Sequence, residues 1–126
     1  MTNSGAIVWT DLTVKNAEKI RDFYAEVVGW SSERFEGDFT MVQPGSRLPV
    51  AGICHASGIN ANLPAQWLVY IAVDDLDRSI EACRRAGGKV VHGPRAAGSG
   101  RICVIQDPAG AVAALYQVPS EAPRLR

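Results

Sequence analysis

WLVYIAVDDLDRSIEACRRAGGKVV, residues 67–91, is the stretch whose reading decides the fold. Leu68 to Val73 is apolar and β-branched without Gly or Pro, which predicts a buried strand, and Asp74 and Asp75 supply a cap for a helix. Leu76, Ile80 and Cys83 follow at helical spacing, and Gly87-Gly88 stops the helix where a left-handed residue is wanted. Shifted back by 59 positions, the same grammar returns: Ile71 falls on Leu12, Val73 on Val14, Asp75 on Asn16, Asp77 on Glu18 and Gly88 on Gly29. Strand, cap, first-turn acid and terminator recur in register, and a duplicated unit is the economical explanation.

Working outward, Ala6 to Val14 reads as a strand with Val8, Thr10, Leu12 and Val14 on one face and Trp9, Asp11 and Thr13 on the other. Asn16 is placed to cap the next helix, whose apolar stripe is Ala17, Ile20, Phe23, Tyr24, Val27 and Val28. Three shorter strands are expected at 30–35, 39–43 and 50–55, punctuated by Gly37-Asp38 and Pro44-Gly45, so the order is βαβββ. Residues 57–65, SGINANLPA, read as the connection to the second half. There the strands fall at 89–92, 101–106 and 112–117, with a turn at Asp107-Pro-Ala-Gly110. GPRAAGSGR, residues 93–101, lacks P-loop spacing and reads as a mobile surface loop, with His92 at its start. The modules are thus about 6–56 and 66–118, and the tail from Ser120 is expected to be disordered at its end.

At 126 residues the chain is one domain's worth, two half-domains sharing a core. Thirteen basic residues balance thirteen acidic ones, and no basic run is dense enough for phosphates or an anionic membrane surface. Nucleic acid and membrane are therefore not expected as partners. MTNSGAIVW carries neither a charged leader nor a long apolar run, which makes the cytoplasm the expected location. Cys54, Cys83 and Cys103 are odd in number and widely spaced, against both a disulfide framework and a zinc knuckle.

With both halves laid out, the chain resembles the vicinal-oxygen-chelate superfamily, which includes glyoxalase I, the extradiol dioxygenases, and the bleomycin and fosfomycin resistance proteins. The residues that carry the likeness are IVWTDLTVKNAEKIRDFYAEVVGW (7–30), WLVYIAVDDLD (67–77) and DPAGAVAALYQ (107–117). The resemblance implies an α+β fold in which two βαβββ modules form an open, cup-shaped mixed β-sheet barrel, helices outside, with a cleft between the modules. It also implies a homodimer. Enzymes of this superfamily hold a divalent metal at four strand positions, which fall here on Trp9, Gly52, Leu68 and Ala114. Indole, hydrogen and alkyl groups offer a cation nothing, so neither metal nor other cofactor is expected. Cys54 and His55 are adjacent on one strand and point to opposite faces, and Cys54 with Asp11 makes only two ligands.

The inward candidates are Trp9, Asp11 and Thr13 in the first half and Leu68, Tyr70 and Ala72 in the second, with Cys54, Cys103 and Tyr116 on neighbouring strands. Trp9 can stack on a flat ligand or simply fill the space a metal would need. Asp11 can act as base or anchor, or sit solvated at a rim. Tyr70 offers a phenol to an oxyanion, or merely packs. His55, beside the connection, can carry a proton or fix the connection by hydrogen bonding. Two functions survive: a metal-independent small-molecule binder that sequesters a planar or apolar ligand, and a metal-free lyase, isomerase or hydrolase with Asp11 as general base and Tyr70 as oxyanion donor.

Overall fold

A computed structural model describes residues 4–119. In chain order it contains β1 (Ile7–Val14), α1 (Ala17–Val28), β2 (Ser31–Phe35), β3 (Asp38–Val42), β4 (Pro49–His55), a 3-10 turn at Gly58–Asn60, β5 (Trp67–Ala72), α2 (Leu76–Arg85), β6 (Lys89–Ala97), β7 (Gly100–Gln106) and β8 (Val112–Gln117). This is an α+β fold with the βαβββ order stated twice, as the repeated strand–cap–helix–Gly pattern requires. Residues 9–68 form one compact unit; residues 4–8 with 69–119 form the other.

In the first unit the strand order is β2-β3-β4-β1. β1 runs parallel to β4, which a strand can do only after a crossover, here supplied by α1 and two intervening strands. β3 is antiparallel to both β4 and β2. α1 lies on a core of Ala17, Phe39, Met41 and Ile53, extended by Ile20, Val14, and a cluster of Tyr24, Trp30 and Trp67 rings 5.4–5.8 Å apart. The expected apolar stripe is wider than the buried one. Ala17, Ile20 and Tyr24 face the sheet, while Phe23, Val27 and Val28 are 52%, 58% and 46% exposed, because they lie beside that line or in the last turn beyond it. Asn16 also departs from expectation: with φ −109° and ψ 62° it is not in the extended conformation that lets a cap side chain reach back, and its side chain makes no cap bond. Gly29 ends the helix as foreseen, at φ +79° with its N–H on Ala25 O.

The second unit has strand order β5-β8-β7-β6, with β5 parallel to β8 and the rest antiparallel. Its helix α2 packs on Leu76, Ile80, Cys103 and Leu115. Asp75 caps it by accepting from Arg78 N. At the other end Gly88 N donates to Cys83 O and Gly87 N to Arg84 O, a Schellman arrangement with Gly87 at φ +95°. Residues 93–97 are not loop but strand: β6 continues through them and turns at Gly98-Ser99 into β7. Two register shifts, after Val90 and after His92, let an edge strand hold a glycine at φ +88° and a proline that has no N–H to give the ladder. His92 is consequently a half-buried strand residue rather than a surface-loop one. The tail expectation from Ser120 onward lies outside the described residues. No helix among them is long and apolar enough to cross a membrane.

Candidate functional site

Alternation along β1 puts Leu12 opposite Ile53, on the helix side, and leaves Trp9, Asp11 and Thr13 on the other face of the first unit. The ladders then build one lateral row across four strands. Asp11 is opposite Gly52, Gly52 opposite Thr40, and Thr40 opposite Glu33. Gly52 is the pivot of this row. A Cβ placed on it would run into Asp11 Oδ1 and lie 3.2 Å from Asp11 Cγ and 3.5 Å from Trp9 Nε1. The carboxylate therefore occupies the space above the bare glycine, and Trp9 Nε1 donates to Asp11 Oδ1 at 2.7 Å to hold it there. A charge-assisted bond of this kind fixes both the indole and the carboxylate in orientation.

Thr13, buried, and Cys54 are opposite each other in the next row and sit on this same face, as expected. Burial, then the charges of Asp11 and Asp38, push the Cys54 thiol up to about 12, which favours the neutral thiol over the reactive thiolate. His55 is elsewhere. It points to the helix side, where Nδ1 meets Asp38 Oδ1 at 2.8 Å, Nε2 meets Glu18 Oε2 at 3.2 Å, and its backbone N–H donates to the same Asp38 oxygen. Hydrogen bonds to Asp38 and then Glu18 raise its pKa above the ordinary 6.5. His55 ties the end of β4 to β3 and to the first turn of α1, the hydrogen-bonding alternative of the two expected for it, and does not share the face of Trp9 and Asp11.

In the second unit Tyr70 is opposite Ala114, the repeat's counterpart of Asp11 opposite Gly52. Tyr116 lies on the same face, its ring centroid 6.4 Å from that of Tyr70. The floor beside them is Ile102, Val104 and Ala114, all buried. Gly100 sits beneath Tyr116: an added Cβ would lie 2.8 and 2.9 Å from two ring carbons. Cys103 does not join this face, contrary to expectation. The register pairs it with Leu115, which turns it into the core under α2, and burial raises its thiol pKa. Leu68 is buried, and its carbonyl accepts from Thr10 Oγ1 at 3.2 Å.

Two features were not anticipated. Arg95 Nε donates to His92 Nε2 at 2.7 Å, and both residues share the Tyr116 face through their partners Ile102 and Val104. Burial and then Arg95 lower the His92 pKa, which keeps the imidazole neutral and able to accept. Only the bulged register brings His92 and Arg95 together, and H-G-P-R in the sequence carries no sign of it. The second is a groove of about 350 Å³ at the β2 edge of the first unit, lined by Ser31, Glu33, Val42, Gly45, Ser46 and Arg47.

The metal implied by the resemblance does not fit these residues. Trp9, Gly52, Leu68 and Ala114 bring no donor atom, and the space above Gly52 holds a carboxylate already bonded to an indole. Among the described residues no three His, Cys, Asp or Glu side chains stand close enough to share a cation.

The family model for the Glyoxalase/Bleomycin resistance protein/Dioxygenase superfamily matches residues 6–115. The chain is 31% identical to the anthracycline biosynthesis protein DnrV of Streptomyces peucetius, over 90% of this chain and 47% of that protein. It is 30% identical to the putative glyoxylase CFP32 of Mycobacterium tuberculosis, over 89% and 44%. It thus spans about half the length of the relatives it matches. Among solved structures, methylmalonyl-CoA epimerase from Mycobacterium tuberculosis superposes with a TM-score of 0.53 at 19% identity, covering 94% of this chain and 92% of that one. A superfamily member from Vibrio splendidus does so with 0.58 at 12%, covering 89% and 99%. At such identities the structures speak for the fold alone.

Proposed function

The chain belongs to the Glyoxalase/Bleomycin resistance protein/Dioxygenase superfamily, and from that premise we propose that it is a metal-independent small-molecule-binding protein whose planar ligand lies against Trp9 and Asp11. The observation that carries this reading is the carboxylate seated over Gly52 and braced by the Trp9 indole. An aromatic plane beside a fixed acceptor is what a flat molecule bearing a hydroxyl or other donor needs, and Thr40 and the neutral Cys54 thiol add polar and apolar contacts on the same face. One relative is named for anthracycline biosynthesis and another as a putative glyoxylase, names that agree with a small organic molecule as the partner class.

The test is calorimetric titration of hits from a thermal-shift screen of planar phenols. Trp9→Ala should weaken a genuine ligand about 5- to 30-fold, the loss of an aromatic contact worth roughly 1–2 kcal/mol. Unchanged affinity in that variant refutes the reading. The same fixed carboxylate favours a second reading, a metal-free enzyme in which Asp11 is the general base. Asp11→Asn separates them: abolished turnover with retained binding makes the protein an enzyme, and absent turnover in both forms leaves the binder. We also propose a homodimer, because α1 leaves Phe23, Val27 and Val28 uncovered. Sedimentation at the mass of a single chain would refute that.

A further inference from the structure

Glu33 and Arg47 line the same groove at the β2 edge, yet neither pairs with the other or with any other described residue. Arg47 is carried on a braced loop. Ser46 Oγ donates to Gln43 Oε1 and accepts from Leu48 N, and Gln43 N donates to Leu48 O. Gly45 at φ +76° makes the turn, and buried Val42 forms an apolar patch in the lining. The groove thus offers one carboxylate, one guanidinium, the Ser31 hydroxyl and a hydrocarbon surface, at no net charge.

We propose that this groove is a subsite for a neutral polyhydroxylated group of about monosaccharide size. An anion drawn to Arg47 meets Glu33, and a cation drawn to Glu33 meets Arg47, so a singly charged group gains little. A pair of neighbouring hydroxyls suits both: they accept from the guanidinium and donate to the carboxylate, each through a charge-assisted bond. The C–H face of such a ring then rests on Val42, and Ser31 serves a further hydroxyl. A small zwitterion would leave Ser31 and Val42 unused. The volume stands at the small end of the roughly 300–1,000 Å³ of ligand pockets, enough for one ring rather than a polycycle. Glu33 also ends the row that begins at Asp11, three strand spacings or about 14 Å away on the same face. Resting on the reading of Trp9 and Asp11 given above, the ligand class becomes a planar molecule carrying a polyol at its far end.

Methyl β-D-glucopyranoside, β-alanine and inorganic phosphate, titrated separately into the ¹⁵N-labelled protein, test this. The glucoside should shift the amides of Ser31, Glu33, Val42 and residues 45–47 saturably, and Glu33→Ala and Arg47→Ala should each weaken it about tenfold or more, the rest of the spectrum reporting that the fold is intact. No saturable shift, a stronger response to β-alanine or phosphate, or indifference to both substitutions overturns the proposal. The glucoside has no planar part, so its failure is separate from any failure of Trp9→Ala against phenols.

Discussion

Gly52→Ala should destabilise the protein as it stands and stabilise it once Asp11 is gone. The backbone at Gly52 is ordinary, since no positive φ is required there, so alanine is sterically acceptable to the strand itself. Its methyl group would enter the space of Asp11 Oδ1, the far end of a short side chain that can swing away. Swinging away breaks the 2.7 Å bond from Trp9 Nε1, and a half-buried hydrogen bond to a charged group is worth about 1.5–3 kcal/mol. Against this, replacing glycine narrows the unfolded ensemble and returns roughly 0.4–1 kcal/mol. The net expectation is a loss of about 1–2 kcal/mol in the native background. In an Asp11→Ala background the obstruction and the bond are both absent, and the same substitution should gain roughly 0.4–1 kcal/mol. A double-mutant cycle by urea denaturation followed by circular dichroism measures the coupling directly, and the sign reversal is its signature. Additive effects, with Gly52→Ala equally costly in both backgrounds, would mean that the carboxylate is not seated over the glycine.

His55 has a folded-state pKa raised by Asp38 and Glu18, so the stability it adds is fully present below its unfolded value near 6.5 and is lost as pH rises through the higher folded value. The urea midpoint should therefore fall over that window in the native protein and fall less in Asp38→Asn; parallel curves would refute the assignment. Cys54, with its thiol pushed up to about 12, and buried Cys103 should resist a disulfide reagent at pH 8 while the protein is folded, and rapid labelling of Cys54 seen by peptide mass spectrometry would contradict its placement. Gly100→Ala brings a methyl group against the Tyr116 ring and against Gln117 O, a backbone atom that cannot swing aside, so thermal unfolding should show a loss of about 2 kcal/mol or more.

The repeat was legible because its signals are local. Strand, cap, helix and glycine lie within one 25-residue run at 67–91, and side-chain alternation along β1 follows from a period of two. What failed to show depended on registers between strands. From the sequence Cys103 reads as a residue of the Tyr116 face, because no property of the sequence says that Leu115, rather than Tyr116, stands opposite it. Glycine and proline at 93–94 looked like loop residues, since a strand tolerates them only where bulges shift the ladder. The Asn16 cap failed for a different reason: its position in the order was right, but capping needs a backbone conformation that this turn does not adopt. The groove holding Glu33 and Arg47 joins β2 to the loop after β3, a juxtaposition that two isolated charged residues do not announce.

The two modules solve one geometric position in opposite ways. In each, the first strand runs parallel to the last, and a residue on the first stands opposite a small residue on the last: Asp11 over Gly52, Tyr70 beside Ala114. A metal held on those strands needs donors there; here the opposing positions are glycine and alanine, and the space above the glycine is taken by the Asp11 carboxylate. Small residues alone would leave cavities, each costing about 1 kcal/mol or more per missing methyl-sized volume. The Trp9 indole fixes the orientation of Asp11 above Gly52, whereas Tyr70 and Tyr116 stand tilted at 50° with ring centroids 6.4 Å apart, and oriented polar groups of this kind are what the proposed ligand would require.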